Sequence, residues 1–264
     1  FLIKMKYTYY GHLTSKEAQV AAKKKYILVL PIGAIEQHGP HLPIDTDDWL
    51  ALKAAKEGVE LAVKKYKINA MYLPGIHFGQ SFSHLAWPGR ISLSFNTFVS
   101  VIYEVIDQLI KEGFVKFVLV NGNGGNEPSI MTAIRQVTEK WREEKKYIKI
   151  YTVGVGNIYK PPLSKNFPKK INKFFKNKSN EGEVHAGARE TSWNLSGRPE
   201  LVRFNLAKKP KIKEVAWANS SLEEVSNNGT TGNPTLASKS LGDYFWKQQN
   251  LGFAKMLQNI SKDI

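Results

Sequence analysis

The chain has no cysteine among its 264 residues. That excludes disulfides, and it excludes zinc or iron–sulfur centres held by thiolate. Any metal must be bound by imidazole, carboxylate or neutral oxygen. Long apolar runs are also missing. None approaches the ~18 residues that a membrane-spanning helix requires. The opening FLIKMKYTYYGH lacks the apolar stretch and small-residue cleavage site of a signal peptide. Acid is scarce relative to base, with 23 Asp and Glu against 38 Lys and Arg, a net charge of +15. The lysines are spread along the chain, which favours a solvated surface over a dedicated polyanion-binding block. Together with the absent cysteine, this fits an intracellular, cytoplasmic protein. The hydrophobic content of 42% is enough for a sizeable core, so the chain is not globally disordered.

Patterning predicts alternating strands and helices. Tyr26–Ile32 (YILVLPI), Asn69–Leu73, Val115–Val120 (VKFVLV) and Tyr147–Val153 (YIKIYTV) read as short buried strands. Between them, Asp47–Tyr66 has a helical recurrence of apolar residues, with Asp47 or Asp48 as its cap. A second helix is expected to start from Asn96 as its N-cap, with Phe98, Val101, Ile102, Val105, Ile106, Leu109 and Ile110 on one face, and to stop at Gly113. Further helices are expected from about Pro128 to Lys145 and over Ser238–Ile264. The alternation predicts an α/β fold, a mainly parallel sheet flanked by helices, in a single domain over 1–264. The stretch Lys160–Lys178 holds seven lysines and no acid, and it reads as a basic excursion from the pattern.

Ligands of such sheets bind at loops beyond the carboxyl ends of strands. Gly33–Asp48 and Asn121–Asn126 are two such loops. The first contains Glu36, His38, His41, Asp45, Asp47 and Asp48 within 13 positions. In extended backbone, Glu36 and His38 point to the same side, and Asp47 at the mouth of the next helix closes on them. A carboxylate–imidazole–carboxylate trio suits a divalent cation. The bland alternative is a polar loop whose acids cap a helix. His77 and His12 read as structural and surface residues. The chain has no Gly-x-x-x-x-Gly-Lys loop, His-Glu-x-x-His or Gly-x-Ser-x-Gly elbow.

Five ordered segments carry a family resemblance. PIGAIEQHGPHLPIDTDD (31–48) resembles the signature of the creatininase family. GQSFSHLAWPGRISLS (79–94), VNGNGGN (120–126), HAGARETS (185–192) and GTTGNPTLAS (229–238) resemble its further motifs, over roughly residues 24–245. The resemblance implies an amidohydrolase with one or two divalent metals, zinc or else manganese or iron, acting on a C–N bond of a small molecule. It implies Glu36 and His38 as metal ligands, Asp47 as a carboxylate shared between metals, His185 as proton shuttle and Glu190 as an acid of the same pocket. It places His84 and His41 in or behind the pocket. Trp87 and Trp193 are either pocket walls or core. The resemblance further implies a homo-oligomer, a hexamer or another ring.

The departures are specific. Asn123 stands where the family has a metal-binding His, and a neutral carbonyl oxygen binds zinc far less well than imidazole. Ala188 replaces a common Glu and Arg90 a common Thr. Three outcomes follow: a one-metal enzyme, a two-metal enzyme using Asn123 or water as ligand, or a catalytically degenerate binding or scaffold protein. Nucleic-acid binding by the Lys160–Lys178 segment, where Phe167, Phe174 and Phe175 interleave with lysines, is the lesser reading beside a loop that shapes the pocket or a subunit contact.

Overall fold

The computed structural model describes residues 7–157, 185–213 and 221–263. The basic segment 160–178 lies outside them. Four parallel strands form one sheet: β1 (Ile27–Ile32), β2 (Ala70–Tyr72), β3 (Lys116–Asn121) and β4 (Lys149–Gly154), in the order β2-β1-β3-β4. The expected strands are all present, each shifted or trimmed by one or two residues.

The helices are α1 (Ser15–Lys23), α2 (Thr46–Tyr66), α3 (Phe95–Lys111), α4 (Glu127–Glu143), α5 (Ala188–Gly197), the single turn α6 (Leu222–Val225) and α7 (Lys239–Lys262). Two expected caps differ. Helix α3 is capped by Ser94, whose hydroxyl accepts from the Thr97 N–H, and Asn96 lies inside the first turn. Helix α2 begins at Thr46, so Asp47 and Asp48 occupy its first turn and cap nothing. There they face the positive end of the helix dipole, which favours carboxylates.

Alternation along the strands explains the layering. Ile27 and Val29 of β1, with Val118 and Val120 of β3, pack toward α2 and α7 against Leu50, Val59, Phe253 and Leu257. Leu28, Leu30 and Ile32, with Phe117 and Leu119, pack on the opposite face against Phe98, Ile102, Ile106 and Val137 of α3 and α4. Helices cover both faces, so β1 and β3 are apolar along most of their length. The parallel register puts the carboxyl ends of β1 and β3 side by side, Ile32 opposite Asn121. The two motif-bearing loops therefore leave the sheet together. At their junction, any side chain at Gly122 would collide with the Asp47 carbonyl oxygen. Glycine there lets the β3 loop approach the start of α2.

Candidate metal centre

Glu36, His38 and Asp47 converge at this end of the sheet, all buried, with one donor atom from each inside a 4.8 Å sphere of mutual distance. Two further triads overlap with it: Glu36–His84–His185 and His38–His185–Glu190. The structure thus brings together six of the residues singled out in the sequence, from three of the five motif segments. The His38 and His185 rings lie 4.3 Å apart between centroids, and those of His84 and His185 4.6 Å.

Hydrogen bonds fix how these groups face one another. Gln37, between Glu36 and His38, is the hub that sequence reasoning missed. Its Nε2 donates to the Gly229 carbonyl at 2.8 Å, and its Oε1 accepts the Gly39 N–H at 2.8 Å. With its amide so oriented, Nε2 also donates to His84 Nδ1 at 2.9 Å. His84 must then carry its proton on Nε2, which donates to Glu36 Oε1 at 3.1 Å. Asn123 Nδ2 donates to the other oxygen, Glu36 Oε2, at 2.9 Å. Burial raises the Glu36 carboxyl, but the His84 hydrogen bond and the neighbouring imidazoles outweigh it and hold Glu36 at about 2.

His38 donates from Nδ1 to the Glu36 main-chain carbonyl at 3.2 Å, which turns Nε2 toward Asp47 Oδ1 at 3.1 Å and Glu190 Oε2 at 3.8 Å. Nε2 of a neutral imidazole and both carboxylate oxygens are electron-pair donors. Such atoms come this close only with a proton or a cation among them. Burial pushes Asp47 up to about 8, with the nearby Glu36 and Glu190 acting the same way against the pull of His38. Burial lowers His38, yet Asp47, Glu190 and Glu36 outweigh it and raise His38 to about 10. The two behave as one proton-holding pair. Burial likewise raises Glu190. This donor set fits a divalent cation, which would take the place of those protons.

His185 donates from Nε2 to the Gln37 carbonyl at 2.8 Å, leaving the Nδ1 lone pair toward the cluster, 3.6 Å from Glu36 Oε1. Burial, reinforced by His38, holds it well below the ordinary histidine range, so it is neutral. The chain turns sharply behind it. Ala186 is left-handed at φ +52°, and its N–H donates to Glu190 Oε2 at 2.7 Å. A non-glycine residue in that conformation costs about 1 kcal/mol, offset here by the charge-assisted hydrogen bond.

Other expected residues take different places. Asn123 does not direct its carbonyl oxygen at the cluster. Oδ1 accepts the Gly125 N–H at 2.9 Å, while Nδ2 donates to Glu36 and, at 3.0 Å, to the Gln80 carbonyl. Reversing the amide would set its oxygen against two acceptors. His41 is fully buried, Nε2 to Thr191 Oγ1 at 2.8 Å, and burial lowers it to about 4. It stands behind the cluster and joins none of the three triads. A cavity of about 490 Å³ opens on the cluster, and Trp193 lines it with Arg189 and Asn157. Trp87 is half-buried and not among the lining residues. Trp193 also packs edge-on to Phe245, so it serves both wall and core. His77 pairs with Asp48 at 3.0 Å.

The creatininase (creatinine amidohydrolase) family model matches residues 11–257. The chain belongs to the creatininase family. Family members similar to it include the mycofactocin precursor peptide peptidase of Mycolicibacterium smegmatis, 27% identical over 95% of this chain and 91% of that protein. The creatinine amidohydrolase of Pseudomonas putida is 29% identical over 75% of this chain and 74% of that one. The 3-dehydro-scyllo-inosose hydrolase of Thermotoga maritima is 28% identical over 74% of this chain but only 57% of its own length. In fold, the chain superposes on a creatinine amidohydrolase crystal structure with TM-score 0.84 at 22% identity, covering 98% and 100% of the two chains. It also matches a manganese creatininase structure (TM-score 0.82, 24% identity, 96% and 98% covered). A creatininase variant described as Zn-Zn type matches likewise (0.81, 23%, 97% and 98%).

Proposed function

We propose that this chain is a metal-dependent amidohydrolase that cleaves a C–N bond, cyclic or linear, of a small molecule. The observation that carries the reading is the approach of the buried His38 Nε2 to Asp47 Oδ1 and Glu190 Oε2, two residues that line a cavity. Family membership supports it, and so do relatives named as amidohydrolase, hydrolase and peptidase. Glu36, His38 and Asp47 would hold the cation, of the kind named for the manganese and zinc creatininase structures. A divalent cation bound there supplies Lewis-acid polarisation of a carbonyl and lowers the pKa of water.

The chain's own residues do the rest. His84 and Asn123 pin both oxygens of Glu36, so that carboxylate stays ionised and oriented. His185, neutral and with Nδ1 open toward the cluster, accepts a proton there and returns it to the departing nitrogen. Glu190 holds the turn that presents His185. Trp193 closes one wall of the cavity to water. The functional unit in this reading is one domain, and it is a homo-oligomer. Six large apolar side chains on loops and helix starts between residues 44 and 95 support assembly, being 40–58% exposed: Ile44, Phe78, Phe82, Leu85, Ile91 and Phe95.

The test is elemental analysis of the purified protein and of protein reconstituted with zinc or manganese, alongside Asp47→Ala. Hydrolysis of creatinine, other cyclic amides and formamides is followed before and after chelation. One or more metals per chain, lost with Asp47, together with chelator-sensitive turnover supports the reading. Protein that stays metal-free at every supply refutes it. Asn123, which gives Glu36 an amide proton rather than offering the cluster an oxygen, favours a second reading: a non-catalytic binding protein on the same fold. Full metal occupancy with turnover eliminates that alternative.

A further inference from the structure

The opposite end of the sheet has its own cavity, of about 590 Å³, where the strands begin. Five lysines line it: Lys24, Lys25, Lys67, Lys116 and Lys149. They come from four separate segments, the turns after α1 and α2 and the first residues of β3 and β4. A half-exposed acid stands nearby: Asp263, 3.8 Å from the Lys149 ammonium and accepting from the Tyr151 hydroxyl.

Part of this gathering has an ordinary explanation. Lys24, Lys25 and Lys67 follow helix C-termini, where the dipole favours cations. That account does not extend to Lys116 and Lys149. Those two are direct partners in the parallel register, so their side chains leave the same face of adjacent strands. Like charges placed opposite each other in a sheet are destabilising. Lys116 is moreover only 9% exposed, and its ammonium has one carbonyl partner, Ile260, at a long 3.5 Å. A lysine this little exposed is rare without a carboxylate partner. Burial, with Lys149 and Lys25 nearby, holds it below the ordinary lysine range. Lys25 and Lys67 are both left-handed, at φ +52° and +56°, which sets their turns at the rim. At the rim also stands Tyr147, 73% exposed, with the Lys149 ammonium 5.6 Å from its ring centroid.

We propose that this cavity is a binding site for a small molecule bearing two or more linked phosphate groups, held by Lys25, Lys67, Lys116 and Lys149. A phosphate chain would neutralise the clustered ammonium groups and give Lys116 an anionic partner beside its one long carbonyl contact. The volume of this half-open cavity falls within the range of about 300–1,000 Å³ of small-ligand sites, which favours a compact ligand over a nucleic acid strand. Tyr147 offers a stacking face to any ring carried on the phosphates. The site lies at the other end of the strands from the candidate metal centre and is independent of the chemistry proposed there.

The experiment is calorimetric titration and thermal unfolding of the full chain at physiological salt. The probes are ADP, inorganic tripolyphosphate, inorganic phosphate and a single-stranded DNA oligomer. Saturable binding of ADP or tripolyphosphate, one per chain, with a raised Tm is expected. The double variant Lys116→Met/Lys149→Gln should weaken it at least about tenfold. A triple variant of remote exposed lysines, Lys16→Gln/Lys56→Gln/Lys209→Gln, should leave it unchanged. Lys149→Gln alone is the milder check should the double variant fold poorly. Tighter binding of ADP than of tripolyphosphate, lost in Tyr147→Ala, assigns the ring face to a nucleoside. No saturable binding of either probe overturns the proposal. So does an equal loss in the remote triple variant, which means general attraction to a basic protein, and so does preferential saturation by DNA.

Discussion

The two ends of one four-stranded sheet carry opposite chemistry. At the carboxyl end, acids and imidazoles crowd together with excess electron pairs, and protons hold them in place. At the amino end, ammonium groups crowd together with excess protons, the half-exposed Asp263 beside one of them. Folding alone would disperse both clusters, since the acidic one costs desolvation and both cost like-charge repulsion. The contrast teaches that a cluster of like groups, tolerated by a fold whether buried at one end or at the rim of an open cavity at the other, marks the sign of what suits it: cations at the acidic end, anions at the basic one.

Removing the carboxylate that closes the acidic end breaks the contrast most severely. Asp47→Ala should abolish metal retention and lower turnover by on the order of a thousandfold, read by elemental analysis and initial rates. Gly122→Ala attacks the same end through packing, because its new methyl group strikes the Asp47 carbonyl. It should destabilise the protein by about 1–3 kcal/mol in denaturant titrations and weaken metal binding without removing a ligand. Asn123→Ala frees Glu36 Oε2 from its amide donor. Metal affinity should fall roughly 10- to 100-fold while the far-UV spectrum stays unchanged.

Acidity sharpens the comparison further. Asp47 is raised from 3.8 to about 8 and His38 from 6.5 to about 10 in the metal-free protein. A group raised on folding lends stability at low pH and loses it as pH climbs through the folded value. Metal-free protein should therefore lose the pair's contribution as pH climbs from about 4 toward 10, whereas a bound cation displaces those protons. The gap in Tm between metal-loaded and metal-free protein should widen from pH 5 to pH 8. A constant gap would mean the cation binds elsewhere. The smallest effect belongs to the basic end: Lys149→Gln relieves a like-charge pair and should stabilise the ligand-free chain by about 0.5 kcal/mol, diminishing with added salt.

Much of this architecture is legible from one sequence. The apolar runs fix β1 and β3, because strands buried on both faces leave little room for polar residues. The 3.6-residue spacing fixes α3, whose single apolar stripe has one face to bury. The density of Glu36, His38 and Asp47 after a buried strand marks the site, since acids and imidazoles are seldom gathered there without a ligand. Local rules erred where two candidates compete within a turn: Ser94 rather than Asn96 caps α3, because its hydroxyl reaches the Thr97 amide.

What composition and spacing determined, then, is a parallel α/β chain with a metal-suited loop at one end of the sheet. The direction in which Asn123 points, the relay from Gln37 through His84 to Glu36, and the convergence of five dispersed lysines were decided by tertiary structure alone. Each depends on groups tens to hundreds of residues apart, such as Gln37 with Gly229 or Lys25 with Lys149. Side-chain orientation is set by whichever donors and acceptors the fold carries into reach, and linear order holds no record of that meeting.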